Sequence, residues 1–583
     1  MAHARRDLAL RIVAALLFAA LPFACRRAPR GATPGPSAPA ATSATLAPEA
    51  RAEAAAAIRE ILSAGRHPSL SHPGFARDQD EMASLYGPDC APVWLEGSRP
   101  GDAARTVIDV LGEADTRGLS PEDYDVRRLE RWWAGAGSAG GLAPAELGRF
   151  DAALSLLYMR HISDLRIGRV DPKTVKTAFD VKPRTLELAD VVRDAIARGR
   201  VRTAVEEAEP PLELYRRLKE ALPRFRQLAT DASLGPVPEV RKLGPGDEYA
   251  GAPGLSRLLV ALGDLPGDAV SVPAADGAAP RYEGALVDAV RRFQDRHGLT
   301  ADGVVGKGTF ARLNLSMARR VRLIELALER LRWAPVPADG PLIVVNLAAF
   351  RLWAVDRAAG VSRPALTMKV VVGRALRTET PVFGEELRYL VFRPYWNVPA
   401  SIARSETLPA ARREPGYLAA HDMEIVDGDR DDSPVVPPTP ENLGRVGPGG
   451  LRIRQRPGPQ NALGRVKFIF PNNANVYLHD TPSPGAFRLD RRDLSHGCVR
   501  LADPAALAEW LLRDVPGWSR ERIEKAMRED APQQVNLRAP VPVLLLYVTA
   551  VVDAQGQAAF FEDIYGHDRR LDALLRGGEP QSP

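Results

Sequence analysis

The sequence predicts a multidomain α+β protein: a helical N-terminal domain, a small three-helix domain, and a mainly β, sandwich-like C-terminal domain with an inserted segment. Three observations carry this expectation. Through 51–240, apolar residues recur at three- and four-residue spacing. A second helical pattern, punctuated by glycines, fills 250–316. From 340 to 566, short β-branched runs alternate with turns, and only 400–465 breaks that rhythm. At 583 residues the chain is too long for one core, which fits the division.

The bulk composition is ordinary for globular domains, at 45% hydrophobic and 26% charged. A net charge of +5 is mild for this length and excludes a dedicated nucleic-acid binder, which shows a concentrated basic face. It suits an anionic polymer without demanding one. The three cysteines, Cys25, Cys90 and Cys498, exclude a disulfide framework. A Cys90–Cys498 bridge would silence a nucleophile at 498, so Cys90 is expected as a reduced, buried thiol.

Residues 1–25 read as a secretory signal, with Arg5 and Arg6 ahead of an apolar run from Leu8 to Phe23. The run is short for a membrane span. Cys25 after Ala24 resembles a lipidation site, with Pro22 in the place usually held by leucine; an ordinary cleaved signal with an incidental Cys is the alternative. Arg5-Arg6-Asp7-Leu8 also resembles a twin-arginine signal faintly. Residues 26–50, rich in Ala, Pro, Ser and Thr, read as a flexible linker.

In 51–240 the helical runs are Ala54–Leu62, Ala103–Leu111, Phe150–Ile162 and Leu212–Leu222. Ser120 and Pro121 mark a helix start. His161, Asp164 and Arg166 sit together, and a structural role is expected for them. Arg281 to Leu299 reads as an amphipathic helix with Leu286, Ala289, Val290 and Phe293 on one face, stopped by Gly298. Asp302-Gly303 and Gly306 turn the chain into a further helix at Thr309–Asn314. These residues, with Phe293-Gln294 and His297-Gly298-Leu299, resemble a small peptidoglycan-binding domain. His297 corresponds to a zinc ligand of some relatives, but a helix-end cap is the reading here. Residues 317–335 read as a connecting helix with Ile324, Leu328 and Leu331 buried.

Strands are expected at Leu342–Asn346, Phe350–Val355, Met368–Val372, Arg388–Phe392, Val466–Phe470 and Val543–Val552. The insert 400–465 is long enough to be a lid or to hold structure of its own. Trp396, just before it, is a candidate to line a groove, with a buried Trp in a turn as the alternative. Residues 567–583 read as a C-terminal tail.

The chemistry concentrates late. Tyr477-Leu478-His479-Asp480 is followed by Ser495-His496-Gly497-Cys498-Val499-Arg500. A cysteine nucleophile needs a base, because only the thiolate attacks, and backbone amides facing the oxyanion that forms. Cys498 is the candidate nucleophile and His479 the base. The Asp480 carbonyl would orient the imidazole, and Gly497 lets the chain turn so that the Gly497 and Cys498 amides face one point. His496 would lie beside the thiol. Tyr477 shares the strand face of His479. Two His and one Cys also invite a zinc reading, but the usual ligand spacing is missing, so no metal is expected.

The His479-x15-Ser495-His496-Gly497-Cys498-Val499 pattern resembles the L,D-transpeptidases of bacterial peptidoglycan, with a YkuD-type catalytic domain. Arg500, where many members have Asn, resembles the larger YcbB-like branch. The resemblance implies a helical scaffold domain ahead of the catalytic domain and a capping subdomain in 400–465. Asp563-Ile564-Tyr565-Gly566 resembles that branch's closing strand and turn. It implies transfer of an acyl group from a tetrapeptide stem to a second stem (3→3 cross-linking), with release of D-Ala and no cofactor. Cys498, His479 and His496 would be catalytic, and Arg500, Ser495, Tyr477 and Trp396 would contact substrate. For Arg500 an ion pair within the domain is the alternative. Partners would be peptidoglycan stem peptides and glycan, in the periplasm or cell envelope, with a lipid anchor at Cys25 as an option. A non-catalytic wall-binding protein, an L,D-carboxypeptidase and a protein-to-wall ligase are the competing functions.

Overall fold

A computed structural model describes residues 46–179, 187–269, 280–337, 339–358 and 361–577. The signal, most of the linker and Cys25 lie outside them. Among the described residues no helix is long and apolar enough to cross a membrane.

The N-terminal part comprises α1 (Pro48–Ala64), α2 (Gln79–Tyr86), a short hairpin of β1 (Leu95–Glu96) and β2 (Arg99–Pro100), α3 (Asp102–Gly112), α4 (Val126–Gly137), α5 (Pro144–Ile167), α6 (Leu188–Ala197) and α7 (Val201–Ala208). Helix α5 is its axis and is buried on nearly every side, so its pattern is apolar all round and not a stripe. α1 crosses it so closely that a Cβ on Gly148 would lie 2.2 Å from the Ala54 carbonyl oxygen. Asp151 of α5 is satisfied internally: it accepts from Tyr86 Oη at 2.7 Å and from the Trp94 amide at 2.8 Å. His161 is fully buried edge-on to Tyr124, 4.8 Å away, and burial holds its ring well below the usual histidine range. The Ser120–Pro121 start opens a single 3₁₀ turn, Pro121–Tyr124, before α4.

Next come α8 (Glu213–Ala229), α9 (Ala252–Leu262), α10 (Ala285–Arg296), α11 (Lys307–Leu313) and α12 (Met317–Arg332). Helix α10 begins at Ala285 and not at Arg281, because Gly284 sits at φ +58°. His297 caps it, with Nδ1 2.8 Å from the Phe293 carbonyl and its ring stacked on Phe293 at 3.9 Å. The small domain docks firmly: Thr300 donates its amide (2.7 Å) and hydroxyl (2.8 Å) to Asp490 in the C-terminal domain.

Helix α12 departs from the simple stripe. Its charged residues are buried as well as its apolar ones, because it lies among three parts of the chain. Glu329 pairs with Arg332 at 2.8 Å and accepts from the Val170 amide at 3.1 Å. Arg330 pairs with the fully buried Asp568. Arg322 reaches Asp572 at 2.8 Å. Both aspartates belong to a helix, His567–Arg576, where the sequence suggested only a tail. Its dense charge hid an amphipathic pattern whose partners lie on α12, more than 200 residues away.

The C-terminal strands are β3 (Gly340–Asn346), β4 (Arg351–Ala358), β5 (Val361–Gly373), β6 (Phe383–Phe392), β7 (Trp396–Asn397), β8 (Met423–Val426), β9 (Val435–Val436), β10 (Arg452–Gln455), β11 (Val466–Ile469), β12 (Leu478–His479), β13 (Asp493–Ser495), β14 (Val499–Leu501), β15 (Gln533–Leu546), β16 (Ala550–Val552) and β17 (Ala558–Phe560). Nine form one mixed sheet in the order β13-β5-β14-β12-β11-β6-β15-β3-β4. β5 is long: its first half pairs with β4 and its last residues with β14. The sheet therefore closes on itself through β5, and that closure is the form the sandwich-like expectation takes. β7, β10, β8 and β9 make a separate four-stranded sheet. With short helices at 408–413, 417–420 and 440–445, this insert encloses its own small core around Leu418, Ile425, Leu451 and Ile453.

Candidate active site

Two short strands build the site. β12 and β14 run parallel, with Leu478 opposite Val499 and His479 opposite Arg500. Leu478 and Val499 are fully buried in the core. Side chains alternate along a strand, so Tyr477, His479, Cys498 and Arg500 all point to the other face. The Val499 amide donates to the Tyr477 carbonyl at 3.1 Å, which extends the register to Tyr477 beside Cys498.

Cys498 is half-buried and free; Cys90 is free and buried. The Sγ of Cys498 lies 3.7 Å from the Asn475 carbonyl. The Tyr477 hydroxyl also approaches it. Among the described residues the thiol makes no hydrogen bond to His479: the two share a face on adjacent strands, but the thiol is turned toward Asn475. Burial pushes the Cys498 thiol up, against a smaller downward pull from Tyr477 and Arg500. Asn475 sits at φ +53°, which asparagine tolerates. Asn472 ties its loop together, donating to the Phe470 and Val476 carbonyls at 2.7 Å each.

His479 is buried, and its Nδ1 lies 2.5 Å from the Asp480 carbonyl. Burial first, and then the Arg500 charge, push its pKa down to about 3. The resting ring is thus neutral. A carbonyl at Nδ1 favours the tautomer with the proton there, and the Leu463 backbone is a second hydrogen-bond partner of the ring.

The turn 495–498 is braced from several sides. Ser495 Oγ donates to the Cys498 carbonyl at 2.6 Å and accepts from the Gly497 amide at 3.1 Å. Thr380 Oγ1 donates to the Gly497 carbonyl at 2.7 Å, and Thr378 Oγ1 to the Ser495 carbonyl at 3.0 Å. Tyr565 holds the same loop through the Gly373 carbonyl at 2.7 Å. Gly497 adopts φ +119°, a region open to glycine. Of the two amides expected to face the oxyanion, that of Gly497 is thus engaged by Ser495. That of Cys498 has no acceptor among the described residues.

His496 does not point along the thiol's row. Its Nε2 lies 2.8 Å from Glu406 Oε1, in a π-type turn, Ala403–Thr407, of the insert. Arg500 has no carboxylate partner among the described residues; after burial, the strongest charge acting on it is another cation, Arg374. Trp396 belongs to the insert, pairing with Gln455 and packing on the insert's core. Glu406, Asn475 and the two threonines escaped the sequence reading. No short motif marks them, and each reaches the turn across a long stretch of chain. Among the described residues no group of three or more His, Cys, Asp or Glu side chains converges as a metal ligand set would.

Three segments of the chain match known families. Residues 340–541 match the model of the YkuD family, described as the L,D-transpeptidase catalytic domain. Residues 80–222 match a family described as a scaffold domain, and 255–313 one described as "Putative peptidoglycan binding domain". A Haemophilus influenzae protein described as "Putative L,D-transpeptidase" is 35% identical over 210 residues, 36% of this chain. The chain spans 41% of that relative's length. Similar solved structures include the following two. A fused Zn-dependent amidase/peptidase/peptidoglycan-binding protein from Clostridium acetobutylicum is 14% identical with a TM-score of 0.17, covering 53% of this chain and 100% of that one. Bdellovibrio bacteriovorus Bd1075 is 13% identical with a TM-score of 0.14, covering 42% of this chain and 57% of that one. Those scores are too low to indicate a shared overall fold. The chain carries a catalytic domain of the YkuD L,D-transpeptidase family, together with a scaffold domain and a peptidoglycan-binding domain.

Proposed function

We propose that this protein is a cysteine-dependent L,D-transpeptidase that cross-links peptidoglycan stems 3→3 in the cell envelope. The observation that carries the reading is the parallel register of β12 and β14, which sets Tyr477, His479, Cys498 and Arg500 on one face. A thiol, an adjacent neutral imidazole, a free amide and an unpartnered guanidinium are the parts that acyl transfer from a carboxylate-bearing peptide needs.

In the resting state the thiol rests against Asn475. Rotation about its χ1 carries Sγ toward His479, a change between staggered rotamers. His479 Nε2 takes the proton as sulfur attacks the carbonyl of the third residue of the donor stem. The oxyanion meets the Cys498 amide. The C–N bond then breaks, His479 returns the proton to the leaving amine, and D-Ala departs. A side-chain amine of a second stem attacks the thioester carbonyl and passes a proton to His479; the C–S bond breaks and the thiol is restored. Arg500 holds a stem carboxylate. His496, paired with Glu406, ties the insert down over the groove as a cap; an insert that carries its own sheet and core supports the YcbB-like reading. Amide is exchanged for amide, so no nucleotide or other cofactor enters. The peptidoglycan-binding domain, docked on the catalytic domain through Thr300 and Asp490, fixes the groove relative to the wall. Secretion through the N-terminal signal, with or without a lipid on Cys25, puts the enzyme where its substrate is.

Mass spectrometry of muropeptides after incubation with disaccharide-tetrapeptides tests this. Dimers with released D-Ala are expected. Tripeptides alone would make the protein a carboxypeptidase, and no change would leave it a wall-binding protein.

A further inference from the structure

One cation near the site has no role in the chemistry above. Lys467 on β11 lies directly opposite His479, which lies directly opposite Arg500 on β14. Its neighbours Val466 and Phe468 are fully buried in the core, so Lys467 shares the opposite face with His479. Opposed residues of an antiparallel pair hold their Cβ atoms about 5 Å apart. The ammonium has no hydrogen bond or salt bridge among the described residues. Burial pulls its pKa below the usual lysine value, and the charge of Asp431 in the insert acts weakly against this. A part-buried cation with no direct hydrogen bond or ion pair among the described residues, beside a reactive row, marks a place for an anion.

We propose that Lys467 receives the free carboxylate of the leaving amino acid and so restricts the donor to stems whose scissile bond precedes the C-terminal residue. The inference rests on the transpeptidase reading above. The order across the sheet is thiol on the β14 side, imidazole on β12, ammonium on β11. The order along the reacting peptide is acyl carbon, leaving amine, leaving carboxylate. Strands are about 4.8 Å apart, and a lysine stem is long and flexible enough to bring its ammonium back toward the imidazole. Arg500, on the far side of His479, is left to the acyl part of the donor. A stem one residue longer would place an amide where Lys467 offers a charge, and the ammonium would lose its counter-ion.

The test compares two synthetic donor stem tetrapeptides, one with a free C-terminal carboxylate and one with that carboxylate amidated. The full-length enzyme should favour the free acid at least tenfold in kcat/KM. Lys467→Met should erase the preference, and Lys467→Arg should keep it. Calorimetric binding of the same peptides to Cys498→Ala, with and without Lys467→Met, gives a readout independent of turnover and should show the same discrimination in Kd. A preference that survives in Lys467→Met, or an equal loss with both peptides, overturns the assignment. Discrimination in binding with no turnover by the wild type would uphold Lys467 and refute the transpeptidase reading instead.

Discussion

The resting dyad is a neutral thiol beside a neutral imidazole, and this has a measurable consequence. A thiol with the ordinary pKa of 9.0 is ionised to about 1% at pH 7, and burial at Cys498 pushes the value higher. His479 is held down to about 3, so the ring carries no proton charge above about pH 4. Alkylation of Cys498 by iodoacetamide should therefore rise close to tenfold per pH unit from pH 6 to pH 8, with no break near 6.5. The reading is the mass of the tryptic peptide Asp493–Arg500; Cys90, at 5% exposed, does not compete. Arg500→Met removes a charge that favours the thiolate, so it should slow alkylation at pH 7 and shift the curve to higher pH. A rate that levels off below pH 8, or breaks near 6.5, would mean a thiolate–imidazolium pair. The electrostatics derived from burial would then be wrong.

Gly497→Ala should lose activity and cost about 1–3 kcal/mol, because φ is +119° while the nearest atom to a new Cβ, the Thr378 carbonyl oxygen, is 3.9 Å away. The loss is backbone strain and not a clash, and thermal unfolding with a turnover assay measures both. Glu329→Ala strands buried Arg332 and frees the Val170 amide, costing about 3–5 kcal/mol, seen as a Tm lower by roughly ten degrees. Glu406→Ala breaks a partly exposed pair worth about 0–1 kcal/mol, so stability should hardly change. Amide hydrogen exchange in 400–412 should nevertheless quicken as the insert loosens from the turn.

Much of the architecture was legible because it is local. The strand alternation at Leu342–Asn346 and the glycine-stopped pattern ending at Gly298 each depend on neighbours in sequence. What stayed hidden depends on distance. The helix at His567–Arg576 is mostly charged, and only the α12 surface makes its burial favourable. The closure of the sheet through β5 depends on two partners far apart in the chain. In the site, the motif named Cys498, His479, His496 and the turn as candidates. It did not carry the direction of the thiol, set by Asn475, or the engagement of the Gly497 amide by Ser495. The partner of His496 comes from the insert, 90 residues upstream. The place of Lys467 beside His479 comes only from the register of β11 with β12.

The central claim is that a thioester forms at Cys498. Rapid quenching of the enzyme with a disaccharide-tetrapeptide donor, without an acceptor, followed by peptide mapping tests it directly. The expected result is a tripeptide-stem adduct on the peptide holding Cys498, one D-Ala released per adduct, and neither product in Cys498→Ala. D-Ala release that persists in Cys498→Ala, or an adduct mapped to another residue, would contradict the account.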